Sequence, residues 1–373
     1  MIDMRRMAGT VMWIAVFLFA ACLAGCMLGP DFQKPAVETP DQFRFAAPEA
    51  EALVNLKWWE LFNDPVLASL VTTALRENKD VLMAASRVEE ARASLGFTRA
   101  DMYPTFDIQA GAGRGNFAGG RMSDSTDNNF FIAPTMNWEI DFWGKFRRGI
   151  EAADAAYLAS IAGYDQAMIL VTAQVCGTYL AIRTLEEQLR ITNENIALQQ
   201  RSFEIVNVQF ENGSTSELDV LQARTLLMST KASIPELETQ LRQAKNALSV
   251  LLGRPPADLA DLLKNSAAIP PVPERLAVGL PADLLRRRPD VRQAEYLAMA
   301  QNAQVGLAEA NLYPSFSLSG YVGLTAAGNT ETTRTGESGF GQLFDTDSLT
   351  YSVGPSFVWP FLNYDRIKNS VRV

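Results

Sequence analysis

Apolar and polar positions alternate one by one in four stretches of this chain. In the first, Phe106, Ile108, Ala110 and Ala112 face one way and Asp107, Gln109, Gly111 and Gly113 the other. The second sets Phe130, Ile132, Pro134, Met136, Trp138, Ile140 and Phe142 against Ala133, Thr135, Asn137, Glu139 and Asp141. The third opposes Phe316, Leu318, Val322 and Leu324 to Ser315, Ser317, Ser319 and Thr325. The fourth opposes Leu349, Tyr351, Val353, Phe357, Trp359 and Phe361 to Thr350, Ser352, Gly354 and Ser356. A period of two over such lengths predicts strands. They form two hairpins, 104–143 and 314–362, with strand one over Pro104 to Gly115 and strand two over Phe130 to Trp143. Polar loops are expected at Ser123–Asn129 and Ala326–Asp347.

A different period fills the chain between the hairpins. No proline occurs from Thr135 to Ile234, and Met168, Val171, Val175, Thr178, Ile182, Leu185, Leu189, Thr192, Ile196, Gln199, Phe203, Val206 and Phe210 follow a 3-4 spacing. That heptad seam predicts one helix over 145–211, packed as a coiled coil and roughly 100 Å long at ~1.5 Å per residue. Asn212-Gly213 ends it, because a tight hairpin turn needs φ > 0. A return helix follows to Leu252, with Leu237, Leu241, Ala244, Leu248 and Leu251 in its seam, a kink at Pro235 and a stop at Gly253-Arg254-Pro255-Pro256. Upstream, Asp64-Pro65 reads as the cap and first turn of a helix running to Met102.

The chain also repeats itself. Asp80-Val81, Ala84, Ala93, Gly96, Ala100 and Tyr103-Pro104-Thr105-Phe106 recur as Asp290-Val291, Ala294, Ala303, Gly306, Ala310 and Tyr313-Pro314-Ser315-Phe316, 210 positions later. Each copy is a helix that breaks at a proline and enters a strand. The expected organisation is therefore 1–25 signal, 26–63 extended N-terminal segment, 64–254 first repeat with its helical hairpin 145–252, 255–280 Pro-rich linker, and 281–373 an incomplete second repeat. Beyond Gly149 the first repeat continues into the long helical hairpin; the second has no counterpart before Val373, so the sequence is either a fragment or a truncated product.

The first residues form a targeting segment. Arg5 and Arg6 precede the apolar run Val11–Leu23, which ends in Leu23-Ala24-Gly25-Cys26, the pattern of a bacterial lipoprotein signal. Cys26 is the expected lipidation site. Met27 rather than Asp follows it, which favours the outer membrane. Cys176 is then the remaining thiol of the mature chain, expected as a small core residue on its helix.

Composition narrows the function. The net charge of −9 supplies no basic excess for phosphates, so nucleic acid is not an expected partner. With no histidine among 373 residues, His-based triads and His metal sites are excluded, and no phosphate-binding loop or metal-ligand cluster stands in their place. The chain does not read as an enzyme, and no cofactor is expected.

The strands exceed the ~9–11 residues that cross a bilayer at a tilt. A soluble sheet with one buried face has the same alternation. Two features favour a membrane. Tyr103, Trp143, Tyr313 and Tyr364 sit at the helix-side strand ends, where an interfacial aromatic belt belongs, and the Gly/Ser-rich loops sit at the other end. Asp107, Gln109, Asn137, Glu139 and Asp141 then face a wet lumen. Four strands cannot close a membrane barrel, and an open edge in hydrocarbon costs several kcal/mol per unpaired group. Several copies must share one barrel; three would supply twelve strands.

Gly25-Cys26 with Gly29-Pro30-Asp31-Phe32, Trp58-Trp59, both Tyr-Pro modules, Asp141-Phe142-Trp143-Gly144, Gly213 with Leu218-Asp219-Val220-Leu221-Gln222-Ala223-Arg224, and Arg288-Pro289-Asp290-Val291 span nearly the whole chain. In these the sequence resembles the outer membrane factors of tripartite efflux systems, specifically the NodT-type lipoproteins related to TolC. The resemblance implies an α+β membrane protein with long antiparallel coiled-coil helices, four transmembrane strands per chain and a shared 12-stranded barrel in a homotrimer. It implies an outer membrane location in a Gram-negative bacterium, lipid-anchored and extending into the periplasm, and passive export of drugs, metals or other toxic solutes. Its partners would be a periplasmic membrane fusion (adaptor) protein, an inner-membrane transporter of the RND type, and outer-membrane lipid. Gly213, Asp219 and Arg224 match the periplasmic tip, where the family places its gate. Asp219 also suits the positive end of the return helix, and Arg224 also reads as an exposed charge. Two alternatives share parts of this architecture: the outer-membrane component of a type I protein secretion system, and a lipid-anchored periplasmic helical scaffold.

Overall fold

The computed structural model describes residues 27–36, 57–118, 121–264, 269–271, 285–328 and 340–372. Cys26, the signal segment before it, most of the Pro-punctuated stretch after it and part of the Pro-rich linker lie outside these residues. In chain order the main elements are α1 (Pro65–Glu77), α2 (Lys79–Ala100), β1 (Thr105–Ala118), β2 (Arg121–Ile140), α3 (Lys145–Glu211), α4 (Glu217–Ala232), α5 (Ile234–Leu251), α6 (Ala260–Leu263), α7 (Pro289–Ala310), β3 (Ser315–Gly328), β4 (Leu349–Val358) and α8 (Tyr364–Arg372). The repeat is visible in the backbone. α2 and α7 have 22 residues each and β1 and β3 have 14 each.

The chain forms two compact units. One comprises the N-terminal residues to Pro35 with 90–159 and 294–373; the other comprises 36–89 and 160–293. Each sequence repeat contributes to both units.

The first unit holds one antiparallel sheet in the order β1-β2-β3-β4. Register keeps the apolar residues of the four strands on one face and most of the polar ones on the other, where Phe131 and Tyr321 are the aromatic exceptions. Phe106, Ile108 and Ala110 pair with Met136, Pro134 and Ile132; Ile132, Trp138 and Ile140 pair with Leu324, Leu318 and Phe316; Phe316, Val322 and Leu324 pair with Phe357, Tyr351 and Leu349. A slip of one residue would turn each of these side chains to the opposite face.

Several expectations need correction. β2 begins at Arg121, so Ser123–Asn129 lies within the strand: Asp127, Asn128 and Asn129 pair with Gly115, Arg114 and Gly113, and the register shifts across 123–126 before Met122 and Arg121 pair with Phe117 and Ala118. β2 ends at Ile140 and β4 at Val358, short of Trp143 and Phe361. The single helix expected from Asp64 to Met102 breaks at Asn78. Its Oδ1 accepts from the N–H groups of Asp80 (2.8 Å) and Val81 (3.2 Å), capping α2, while its Nδ2 donates to the Leu251 carbonyl (2.9 Å). The return helix is interrupted near the expected kink, at the single residue Ser233, which keeps αR dihedrals between α4 and α5, and Pro235 takes one of the first two positions of α5, where its missing N–H costs nothing.

The second unit holds the core. Leu67, Leu70, Val71 and Ala74 of α1 meet Val171, Val175, Cys176, Tyr179 and Ile182 of α3, Leu248 of α5, and Leu252, Leu259 and Leu263, with Trp58 and Trp59 packed against the cluster. α1 is fixed by Asp64, whose Oδ1 accepts from Val66 N–H (2.8 Å) and Leu67 N–H (3.1 Å) while its Oδ2 accepts from the buried Tyr179 hydroxyl (2.6 Å). α3 is the one described helix long and apolar enough to cross a membrane by composition. Its apolar side chains Val171, Val175 and Ile182 are instead part of this core. Gly253, at φ 70°, lets the chain leave α5 against α1: a Cβ there would lie 2.2 Å from the Glu77 carbonyl oxygen.

Candidate functional site: a two-faced sheet and a helical tip

Among the described residues most of both sheet faces is open, apart from the loop end, where Phe340 packs on Phe130 and Ala326 is buried. On the apolar face Phe106 is 74% exposed, Ile108 78%, Tyr351 78% and Val353 70%. In water, an open face of large apolar groups on every strand of a sheet would be a severe liability; in a bilayer it is the ordinary outer wall. The opposite face carries Thr105, Asp107 and Gln109 beside Asn137, Thr135 and Ala133, then Ser319, Ser317, Ser352 and Ser356. Asp107, Gln109 and Asn137 are exposed on it. Glu139 shares that face, paired with Ser317 across the ladder, and accepts from Lys145 Nζ at 2.9 Å.

Asp141 departs from its expected place. It lies beyond the end of β2, and its carboxylate accepts from the backbone N–H of Phe146 and Arg147 (both 3.1 Å) and from Arg147 Nε (3.0 Å). It therefore caps α3 and does not face a lumen from a strand.

The helix-side ends of the strands carry aromatic rings. Trp143 stacks beside Tyr313 (centroids 4.8 Å apart) and Phe142 (4.7 Å). Tyr103 (70% exposed), Tyr313 and Tyr364 are open to the surroundings and Trp143 is half-buried. Indole N–H groups tie each strand end to the turn before a neighbouring strand: Trp138 to the Met102 carbonyl (3.0 Å), Trp143 to Pro314 (2.7 Å) and Trp359 to Leu312 (3.2 Å). Such rings, with an apolar body and one donor, suit a boundary between hydrocarbon and water.

In the second unit, the hairpin between α3 and α4 turns at Gly213, with φ 72°. Its N–H donates to the Phe210 carbonyl (2.9 Å) and the Ser214 N–H to the Gln209 carbonyl (2.8 Å), which satisfies two of the last carbonyls of α3. Ser216 and Asp219 then form a reciprocal capping box at the start of α4. The Asp219 carboxylate accepts from the Ser216 hydroxyl (2.6 Å), the Thr215 hydroxyl (2.7 Å) and the Ser216 N–H (3.1 Å). These donors hold it below its usual carboxylate pKa, the Ser216 hydroxyl contributing most. Arg224, one turn on, is exposed and makes no ion pair among the described residues. Leu218, Leu221 and Leu226 of the same helix are also exposed. No cluster of metal-ligating side chains occurs among the described residues.

A meandering sheet with one lipid-like face, one mainly polar face and, among the described residues, two unpaired edges, in a chain that also holds a long helical hairpin, defines a membrane duct component of the TolC-like fold. This chain belongs to the outer membrane efflux protein family, whose model matches residues 70–254 and 280–373. It is 33% identical to the cation efflux system protein CusC of Escherichia coli O6:H1 over 94% of this chain and 74% of that protein. It is 32% identical to nodulation protein T of Rhizobium leguminosarum bv. viciae over 96% and 71%. Among solved structures, the outer-membrane channel OprN superposes with a TM-score of 0.78 at 30% identity, over 93% of this chain and 76% of that one. The open state of the Neisseria gonorrhoeae MtrE channel gives 0.72 at 27% identity, over 93% and 77%. The chain is thus an outer-membrane exit duct of an efflux pump and not an enzyme.

Proposed function

We propose that three copies of this chain close one barrel, each supplying four strands, and that drugs, metal ions or other small toxic solutes leave passively through its lumen. The observation that carries this is the sheet itself. Among the described residues both of its faces are largely uncovered, and β1 and β4 each have one edge without a strand partner. Hydrocarbon tolerates neither edge, so β4 of one copy pairs with β1 of the next until the ring closes. Asp107, Gln109, Asn137 and Glu139 then line the lumen, and Tyr103, Trp143, Tyr313 and Tyr364 lie at the periplasm-side interface. Acylated Cys26 adds a lipid anchor. A periplasmic adaptor and an RND-type inner-membrane transporter supply the solute and the energy at the tip that Gly213 turns.

Asp219 is the weaker part of the gate. The donors around its carboxylate are local, which supports a helix-capping role beside any gating role. In the gating reading, Asp219→Ala makes the duct leaky; unchanged conductance and unchanged antibiotic susceptibility in that variant refute it.

The main test uses the chain extracted from outer membranes in detergent. Cross-linking should give trimers, and planar bilayers should show discrete conductance steps. A monomer that stays soluble in plain buffer after removal of detergent would overturn the barrel.

A further inference from the structure

The first described residues are not a loose tail. Leu28 N–H donates to the Trp143 carbonyl (3.1 Å), Asn302 Nδ2 donates to the Pro30 carbonyl (2.8 Å), and Lys34 pairs with Glu295 (2.7 Å). Three glycines make room for this strap. Gly29, at φ 85°, passes so close to Gly306 that a Cβ on it would lie 2.3 Å from the Gly306 Cα. A Cβ on Gly306 would lie 2.7 Å from the Leu28 carbonyl oxygen, and one on Gly144 would lie 2.9 Å from the Met27 Cα. Backbone meets backbone at these points, and relief by a rotamer change is not available.

Arg148 closes the arrangement. Its side chain is 1% exposed, yet it sits in the first turn of α3. Nε donates to the Leu28 carbonyl (2.9 Å), Nη2 to the Gly29 carbonyl (2.9 Å) and to Asp31 (2.9 Å), and Nη1 to Glu151 (2.7 Å). A buried guanidinium is tolerated only when its fork of donors is filled and its charge balanced. Here the strap supplies three of the four acceptors.

We propose that Arg148 is the positioning residue of the N-terminal anchor: it clamps Leu28–Asp31 across the turn between β2 and α3, so that the chain at Met27, from which an anchor would extend, is held beside the strand ends of its own subunit and not on a free tether. The consequence for a lipid rests on Cys26 being acylated, as proposed above; the clamp itself does not. Met27 is one peptide unit from Cys26, and it packs on Gly144, next to Trp143 in the aromatic belt. An acyl group attached one residue before Met27 would start at the level of this belt. The clamp thus ties the depth of the anchor to the depth of the sheet.

The test reads the strap directly. Chymotrypsin cleaves after Phe32 only when the strap lifts, and mass spectrometry of the released N-terminal peptide reports both cleavage and acylation. With the full chain in detergent, Arg148→Gln should speed cleavage after Phe32 by roughly tenfold or more, since several charge-assisted hydrogen bonds are lost at once. Arg148→Lys should rescue only in part, because an ammonium cannot reach all four acceptors. Gly29→Ala should release the strap with the guanidinium in place, and this variant decides the matter if Arg148→Gln disturbs cleavage elsewhere in the chain. Cys26→Ser should leave cleavage after Phe32 slow. Wild-type rates in both Arg148→Gln and Gly29→Ala would overturn the clamp, as would fast cleavage in Cys26→Ser alone. A mass showing no acyl group at Cys26, with the strap still protected, would refute the lipid anchor and leave the clamp standing.

Discussion

Val353 and Ser352 are neighbours on β4 whose side chains point to opposite faces, and replacing each in turn by arginine tests which face meets lipid. In the isolated chain both are exposed, so a water-soluble sheet should accept arginine equally well at either position. A membrane barrel should not. Val353 is five residues from the end of β4 at Val358. At ~3.4 Å per residue that is about 17 Å along the strand, and with a tilt near 40° about 13 Å in depth, close to the middle of an apolar band ~25 Å tall. An arginine there costs ~2–4 kcal/mol per copy, or about 30-fold to several hundred-fold in the insertion equilibrium, and every copy in the ring bears it. Steric crowding does not supply this penalty, because Val353 lies opposite Gly320. Ser352→Arg projects into water and should cost little. The assay is the yield of heat-labile trimer in outer-membrane fractions at matched expression, with toxic-solute resistance as the functional readout. Val353→Arg should lose most of the trimer and Ser352→Arg should keep it. Equal losses, or an intact Val353→Arg trimer, would refute the assignment of faces.

Three further outcomes follow from the helical unit and the tip. Tyr179→Phe removes a buried hydroxyl that donates to Asp64 at 2.6 Å; a charge-assisted bond of this kind contributes about 1.5–3 kcal/mol. Unfolding of the helical unit should shift to lower denaturant by that amount, and an unchanged midpoint would show that Asp64 is held by its backbone donors alone. Burial pushes the Cys176 thiol up to about 11, so a maleimide at pH 8 should label it slowly in the folded protein and quickly in denaturant; rapid stoichiometric labelling of the folded chain would contradict its place in the core. Asp219 has a lowered folded pKa, so its contribution to the cap is fully present above its unfolded value of about 4 and fades as pH falls through the folded one. Hydrogen exchange at the start of α4 should be faster in Asp219→Ala than in wild type at neutral pH, and the difference should shrink on acidification; a difference that grows with acid would have the wrong sign.

The parts of this fold that were legible in the sequence are those where local pattern and tertiary demand agree. α3 covers the expected 145–211 because its seam runs without proline between two left-handed glycines, Gly144 and Gly213. The sheet faces follow from strict alternation, which register then preserves across all four strands. The misses share a cause: hydrogen-bond partners that the alternation or helical period does not show. Asn78 breaks a helix that looks continuous, and one of its bonds reaches Leu251, 173 residues on. Ser123–Asn129 is rich in turn formers, yet Asp127–Asn129 join the ladder with β1 and Arg121 and Met122 resume it beyond the register shift. Asp141 continues the alternation of β2 in sequence, but the backbone N–H groups at the start of α3 claim its carboxylate. Arg148 was the least visible, and the sequence did hold a signal for it. Arg147 and Arg148 stand together in the first turn of a helix that has no acidic residue there, and a helix N-terminus repels cations. A local rule broken twice in adjacent positions points to partners elsewhere in the chain. Arg147 finds Asp141, six residues back, and Arg148 finds the strap, 117 to 120 residues away, in Leu28, Gly29 and Asp31. The misplaced charge at the start of α3 was therefore the trace, in the sequence, of the site that holds the N-terminus to the sheet.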